Sequence, residues 1–293
     1  MKLETIISKF LKNKKVHVKT GTYRFYNCHL QLILSYFNSI NIDNLEEIDI
    51  EVIEDFVLWQ KEKNPKITNN TLQKRLLCLK LISKYALEEK LITEDKIKDF
   101  QNFKKIKKRF NVLKVEEVKR LFKYANESLS LRNQLIIHYM FDTGIRLNEF
   151  IQLNVEDILK HDGYTLLTIT KTDNDRIVPY SSKTKDLLKL YIGNRTTGPL
   201  LLNQYKGTRV TKSCLAKVFN DIKKELNFNK FHPHMLRHTF ATFCLKSGAD
   251  LKLIQEILGH SDIKMTETYL HYDIESLLEN YNKFNPNNIF NSH

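Results

Sequence analysis

A chain of 293 residues, 42% hydrophobic and 28% charged, has the composition of a globular protein long enough for two ordinary cores, which excludes a fibrous or wholly disordered chain. A formal net charge of +13 and a pI near 9.4 favour a polyanionic partner, nucleic acid first, although solubility or the lysine bias of an AT-rich genome would leave the same excess. Cys28, Cys78, Cys214 and Cys244 are widely spaced with no CxxC pair and read as buried reduced thiols; no apolar run has the length of a membrane span or the form of a signal peptide.

In chain order, "TGTYRFYNCHLQLILSYF" from Thr20 carries apolar residues at helical spacing, and "EVIEDFVLWQKEK" forms a second helix after an Asp/Asn-rich turn. "ITNNTLQKRLLCLKLISKYALEEKLI" reads as one or two more, with Asn69, Asn70 or Thr71 as the cap. This helical module ends in "FKKIKKRF", where five of the six residues from Lys104 to Arg109 are basic, so residues 104–112 are the expected linker between domains 1–103 and 113–293. A merely solvated charge run would look the same. Beyond it, "KVEEVKRLFKYAN" and "SLRNQLIIHYMFDTG" are helices, the latter stopped by Asp-Thr-Gly, and "GIRLNEFIQL" starts the next. "YTLLTITKTDNDRIVPY" switches to a β-hairpin pattern around "TDND". Helices resume with "SKTKDLLKLYI", "TKSCLAKVFNDIKKEL", "HMLRHTFATFCLKSG", "DLKLIQEILGH" and "KMTETYLHY". The expected fold class is therefore mainly α, with one small sheet in the second domain.

Several polar residues stand out. Arg146 follows the Asp-Thr-Gly turn, and Lys171 lies in the hairpin just before Asp175 and Arg176. "HPHMLRHTF" packs His232, His234, Arg237 and His238 into seven positions, and His234 and His238 are one helical turn apart, as zinc-ligand pairs can be. His260 and Tyr269 are nine residues apart in "LGHSDIKMTETYLHY". Taken singly, each has a bland reading as surface charge, turn residue or packed side chain.

As an ordered set, "TGIRLNE", "KTDNDRIVP", "HPHMLRHTFAT", "LGHSDI" and "TETYLHY" resemble the tyrosine recombinases, in particular their Xer-like and phage-integrase branch, over residues 112 to about 273. The module before them resembles that family's SAM-like core-binding domain. The resemblance implies a tyrosine-recombinase fold and a site-specific DNA recombinase that acts through a 3′-phosphotyrosyl intermediate without metal, ATP or other cofactor. It implies Tyr269 as nucleophile, Arg146 and Arg237 as clamp on the scissile phosphate, Lys171 as donor of a proton to the leaving oxygen, and His234 and His260 as further members of the site. Tyr272 follows three residues later, but the family's spacing after the Gly-His histidine selects Tyr269. His271 takes the place of the "YxH" histidine, with a supporting role. One departure is that Thr170 and Thr172 flank Lys171 where many relatives carry glycine.

The chemistry suits these residue types. In-line attack on a phosphodiester builds negative charge that two guanidiniums meet bidentately, while a poor leaving 5′-oxygen needs a proton. A catalytically silent regulator of the same fold, or a metal-dependent phosphodiesterase, are the other readings. The expected partner is double-stranded DNA with inverted half-sites, bound by a homo- or hetero-tetramer in the cytoplasm at the nucleoid, with no membrane. Lys19, Arg24, Lys74 and Arg75 are the candidate DNA contacts of the first domain, with Lys104, Lys105, Lys107, Lys108 and Arg109 in the linker crossing phosphates. No extra amino-terminal arm-binding domain of the long phage integrases is expected. The tail "DIESLLENYNKFNPNNIF" places Ile274, Leu277, Leu278 and Tyr281 at helical spacing, an apolar face for docking on a neighbouring subunit. Chromosome-dimer resolution, mobile-element integration and inversion stay open, as does the target sequence.

Overall fold

The computed structural model describes residues 1–101, 103, 111–168, 175–259 and 274–290, and the backbone alone for residues 274–277, 289 and 290. The expected linker residues Lys104, Lys105, Lys107, Lys108 and Arg109 lie outside the described residues, as do Lys171, His260, Tyr269, His271 and Tyr272. The chain forms two compact units, residues 1–108 and 109–293.

The first unit holds α1 (Leu3–His17), α2 (Thr20–Ser39), α3 (Ile50–Lys63) and α4 (Asn69–Glu88). Leu3, Ile6, Ile7, Phe10 and Leu11 recur at helical spacing and bury one stripe of α1, a helix that the lysines around it obscure in the sequence. They join Leu30, Ile33 and Phe37 of α2, Ile53 and Phe56 of α3, and Leu72, Leu76, Leu79 and Ile82 of α4 in one core. Each fully buried side chain of this kind contributes about 1.5–3 kcal/mol. Helix α4 is capped by Thr68, one residue ahead of the expected cap, whose hydroxyl accepts the Thr71 N–H at 3.3 Å. Cys78 and Cys244 are buried, but Cys214 is half-buried and Cys28 exposed, which corrects the expectation for all four. Cys28 sits on the side of α2 opposite the Leu30, Ile33, Leu34 and Phe37 stripe, so helical geometry turns it outward.

The second unit begins with α5 (Val115–Ser128), α6 (Leu131–Thr143), α7 (Leu147–Gln152) and α8 (Val155–Leu159), the last too short to announce itself by periodicity. Strands β1 (Tyr164–Leu167) and β2 (Arg176–Pro179) form an antiparallel pair with Leu167 opposite Arg176. Then come α9 (Ser182–Ile192), α10 (Lys212–Glu225), α11 (Pro233–Lys246), α12 (Leu251–Leu258) and α13 (Ile274–Phe284). Helix α6 is the spine of this unit: every residue from Leu135 to Thr143 is buried. His138, Asp142 and Thr143 among them are polar and need internal partners, which Thr143 finds in the Tyr139 carbonyl at 2.6 Å. The His138 ring stacks on Phe122 with centroids 4.4 Å apart, and burial, then Lys183, push its pKa down to about 3, so it is neutral at pH 7.

The Asp142 carboxylate accepts the Ser181 N–H at 2.6 Å, the Tyr281 hydroxyl at 2.6 Å and the Asn287 side-chain amide at 2.8 Å. Tyr281 and Asn287 belong to the tail. Tyr281 is 2% exposed and packs within its own unit against Phe240, Cys244, Leu253, Ile254, Ile257 and Leu258. The part of the expected docking face that is described is therefore only partly free: Leu278 is half-buried, while the side chains of Ile274 and Leu277 lie outside the described ones. Tyr281→Phe leaves the ring and removes a donor from a buried carboxylate, and is expected to cost about 1–3 kcal/mol. A lowered urea midpoint for the full chain would register this loss; an unchanged midpoint would show that Ser181 and Asn287 suffice for Asp142.

Candidate active site

Helix α6 ends at Gly144, whose left-handed φ of 61° reverses the chain. A Cβ there would come within 2.6 Å of Phe240 and 2.7 Å of Leu258, so only glycine permits this approach of α6 to α11 and α12. The turn delivers Arg146 to the N-cap position of α7. Glu149, three residues on, reaches back to accept the Arg146 N–H at 3.0 Å and its guanidinium at 2.9 Å.

Helix α11 starts at Pro233 with His232 as its cap, the ring Nδ1 accepting the Met235 N–H at 3.2 Å. One turn in, Arg237 is 5% exposed and donates to the carbonyls of Gly144 and Leu258, both at 2.6 Å. Burial, then the charges of Arg146 and Arg176, push its pKa down to about 9, with Glu149 opposing. Arg176, the first residue of β2, donates to both Glu149 oxygens, at 3.1 and 2.5 Å. Burial works to raise the Glu149 carboxyl, but hydrogen bonds and charge from Arg176, then Arg146, overcome it and hold the group below its usual range. Three arginines thus converge around one carboxylate, and the site keeps positive charge that this side chain does not cancel.

Of the residues expected in the site, Arg146 and Arg237 meet here, both within electrostatic reach of one another. His234 lies one turn before Arg237 on α11 and is exposed. His238 is lowered by burial and then by His234, Arg237 and His232; His232 is lowered by burial, His234 and Lys230. The histidines therefore cluster near the arginines in electrostatic terms. Among the described residues no three of His, Cys, Asp and Glu are grouped so as to hold a metal ion. Lys171, His260 and Tyr269 lie outside the described residues, although Gly259, the neighbour of His260, accepts a hydrogen bond from Arg146 at 2.8 Å. Glu149 carries no mark in the sequence beyond its place three residues after Arg146. Arg176 is visible there only as part of the hairpin motif, with nothing to tell that its side chain turns inward.

In the first unit, Lys19 stands at the N-cap position of α2 and is exposed, Arg24 on α2 and Lys74 on α4 are exposed, and Arg75 is half-buried. Among the described residues the Arg75 Nε has no hydrogen-bond partner. His29 of α2 is lowered by burial, then by Arg75 and Lys74, so these charges of α4 lie against α2. Among the described residues no helix is long and apolar enough to cross a membrane.

Residues 111–276 match the phage integrase family, and residues 2–106 match the phage integrase SAM-like domain. The tyrosine recombinase XerC of Bacillus pumilus is 30% identical over 276 residues, 89% of each chain. The tyrosine recombinase XerD of Staphylococcus haemolyticus is 29% identical over 97% of this chain and 99% of its own. In fold the chain is similar to the Tn1549 transposon integrase in complex with circular intermediate DNA, with a TM-score of 0.72 at 20% identity over 94% of this chain and 97% of the other. It is also similar to a lambda integrase tetramer bound to a Holliday junction, with a TM-score of 0.75 at 18% identity over 92% of this chain and 81% of the other.

Proposed function

Because the chain belongs to the phage integrase family and has tyrosine recombinases of the Xer type as relatives along most of its length, we propose that it recombines DNA at a specific site through Tyr269. The observation that carries this reading is the convergence of Arg146, Arg176 and Arg237 on a single carboxylate, which leaves net positive charge for a phosphodiester. Arg146 and Arg237 meet the non-bridging oxygens of the scissile phosphate. The Tyr269 oxygen attacks phosphorus as its proton passes to a neighbouring histidine or a water, Lys171 protonates the leaving 5′-oxygen, and a 3′-phosphotyrosyl ester with a free 5′-hydroxyl results. Attack by a 5′-hydroxyl from a partner strand reverses these transfers and releases the tyrosine. The ester retains the bond energy, so rejoining draws on no nucleotide. His234 and His260 flank the phosphate and assist proton movement.

In the first unit Lys19, Arg24, Lys74 and Arg75 contact DNA phosphates or base edges, with Lys104, Lys105, Lys107, Lys108 and Arg109 adding the linker's charge. The target is duplex DNA with inverted half-sites, each bound by one copy, in a tetramer of the lambda integrase kind, inside the cytoplasm. Residues 1–103, 104–112 and 113–293 serve as core-binding domain, linker and catalytic domain, and the tail's remaining apolar positions link neighbouring subunits.

The test is a nicked suicide duplex, on which the wild-type chain is expected to leave a covalent adduct that survives SDS. Since guanidiniums supply the charge, the yield is expected to be the same in excess EDTA. Loss of the adduct in EDTA and its return on adding Mg²⁺ or Zn²⁺ would favour a metal-dependent phosphodiesterase instead.

A further inference from the structure

Three arginines from three different elements end on three consecutive carbonyls. Arg176 Nε donates to Ile257 at 3.0 Å, Arg237 Nη2 to Leu258 at 2.6 Å, and Arg146 Nη2 to Gly259 at 2.8 Å. These carbonyls close the C-terminal end of α12, where no backbone N–H follows in the helix and partial negative charge gathers. Two of the three arginines are assigned to the phosphate above. The third is not: Arg176 is 8% exposed, and its guanidinium is taken up by both oxygens of Glu149 and by Ile257.

We propose that Arg176 is a positioning residue of the phosphate clamp, holding the Glu149 carboxylate and the end of α12 so that Arg146 is aimed before DNA arrives; this rests on the function proposed above. Glu149 has two oxygens and four close donors. Two come from Arg176 and two from Arg146, the backbone N–H and one guanidinium nitrogen. Arg176 therefore decides where the carboxylate stands, and the carboxylate decides where Arg146 stands. The same guanidinium fixes Ile257, two residues before the carbonyl that Arg146 also holds, so both ends of the Arg146 side-chain network pass through Arg176. Gly259 leaves room for it: a Cβ there would lie 2.9 Å from Arg176 Cδ, on a backbone with φ of 61°. A lysine in its place keeps the charge but has neither the planar fork for Glu149 nor the Nε–H for Ile257.

The experiment compares the wild-type full chain with Arg176→Lys, Arg176→Met and the double variant Arg176→Met/Glu149→Gln. Half-site affinity is read by gel shift, and single-turnover adduct formation on the suicide duplex is read across pH. Arg176→Lys is expected to bind within about twofold of wild type and to form adduct about 100-fold more slowly, the scale of a misaimed reacting group. In Arg176→Met the burial that raises Glu149 is opposed only by Arg146 and the nearby charge of Arg237, so the rate is expected to gain an acid limb as the carboxyl takes a proton at higher pH than in the wild type. The double variant has no carboxyl at position 149, and the neighbouring histidines His232, His234 and His238 are the same in both variants, so it is expected to stay slow and lose the added limb. Wild-type rates in Arg176→Lys would overturn the proposal, as would a slow Arg176→Met with the wild-type pH profile, which marks a merely structural arginine. Should Arg176→Met fail to fold, the split between binding and rate in Arg176→Lys decides. Absence of adduct from the wild type sinks the recombinase reading itself and is thereby told apart.

Discussion

Tyr269→Phe is expected to bind its DNA site as the wild type does and to form no covalent adduct above background on a nicked duplex. The phenyl ring keeps the shape of the side chain, so a loss confined to the covalent step assigns the attacking oxygen. The control lies three residues away: Tyr272→Phe keeps Tyr269 and is expected to form adduct in the ordinary yield. Electrophoresis in SDS reads both. An adduct from Tyr269→Phe would overturn the assignment, and an adduct missing only from Tyr272→Phe would transfer it to that residue. A phenol ionises near pH 10 in water, so in either case the ring oxygen depends on a cationic site to carry its charge.

The second large effect separates charge stabilisation from proton donation. Arg237→Ala is expected to slow cleavage by about 10³, the scale of losing a buried donor aimed at developing negative charge. Lys171→Ala is expected to lose about 10², within the range of a general acid. Substituting sulfur for the bridging 5′-oxygen distinguishes them, since a thiolate leaves without a proton. The Lys171 variant should recover most of its rate on that substrate, and the Arg237 variant should not. Equal recovery of both would remove the acid role from Lys171. Because Arg237 also holds the carbonyls of Gly144 and Leu258, Arg237→Lys serves as a second variant that keeps charge without the fork. It too is expected to stay slow on both substrates.

Helices α6, α11 and α12, whose ends lie around the arginines, are readable because apolar residues recur along them and because Gly144, Gly248 and Gly259 mark their ends. Helix α9 runs Ser182–Ile192, as the stretch "SKTKDLLKLYI" suggests. Helix α8 was not readable, since five residues make little more than one turn and show no period. The cap of α4 falls one residue ahead of the expected positions because four polar residues in a row, Thr68 to Thr71, can each accept a backbone N–H. Arg146 and Arg237 were legible as members of an ordered motif set. Glu149 and Arg176 were less so, because their importance lies in long-range pairing: 27 positions separate them, and neither residue's neighbours encode the other. Asp142 posed the same difficulty, since its donors come from Tyr281 and Asn287, 139 and 145 positions away.

The burial of Arg237 on the α6 to α12 seam has a thermodynamic consequence. A free arginine side chain holds about 2 kcal/mol of rotamer entropy, which an exposed residue would surrender on meeting a ligand. Arg237, with two backbone carbonyls already gripping its guanidinium and 5% of it exposed, surrenders that freedom when the chain folds. In the role proposed above for Arg237 at the scissile phosphate, the ordering cost is thus carried by the stability of the second unit rather than by each encounter with DNA. Affinity at this position is bounded by the quality of a preset fork, and a change that loosens the seam would weaken binding through disorder even where every contact to the phosphate could still form.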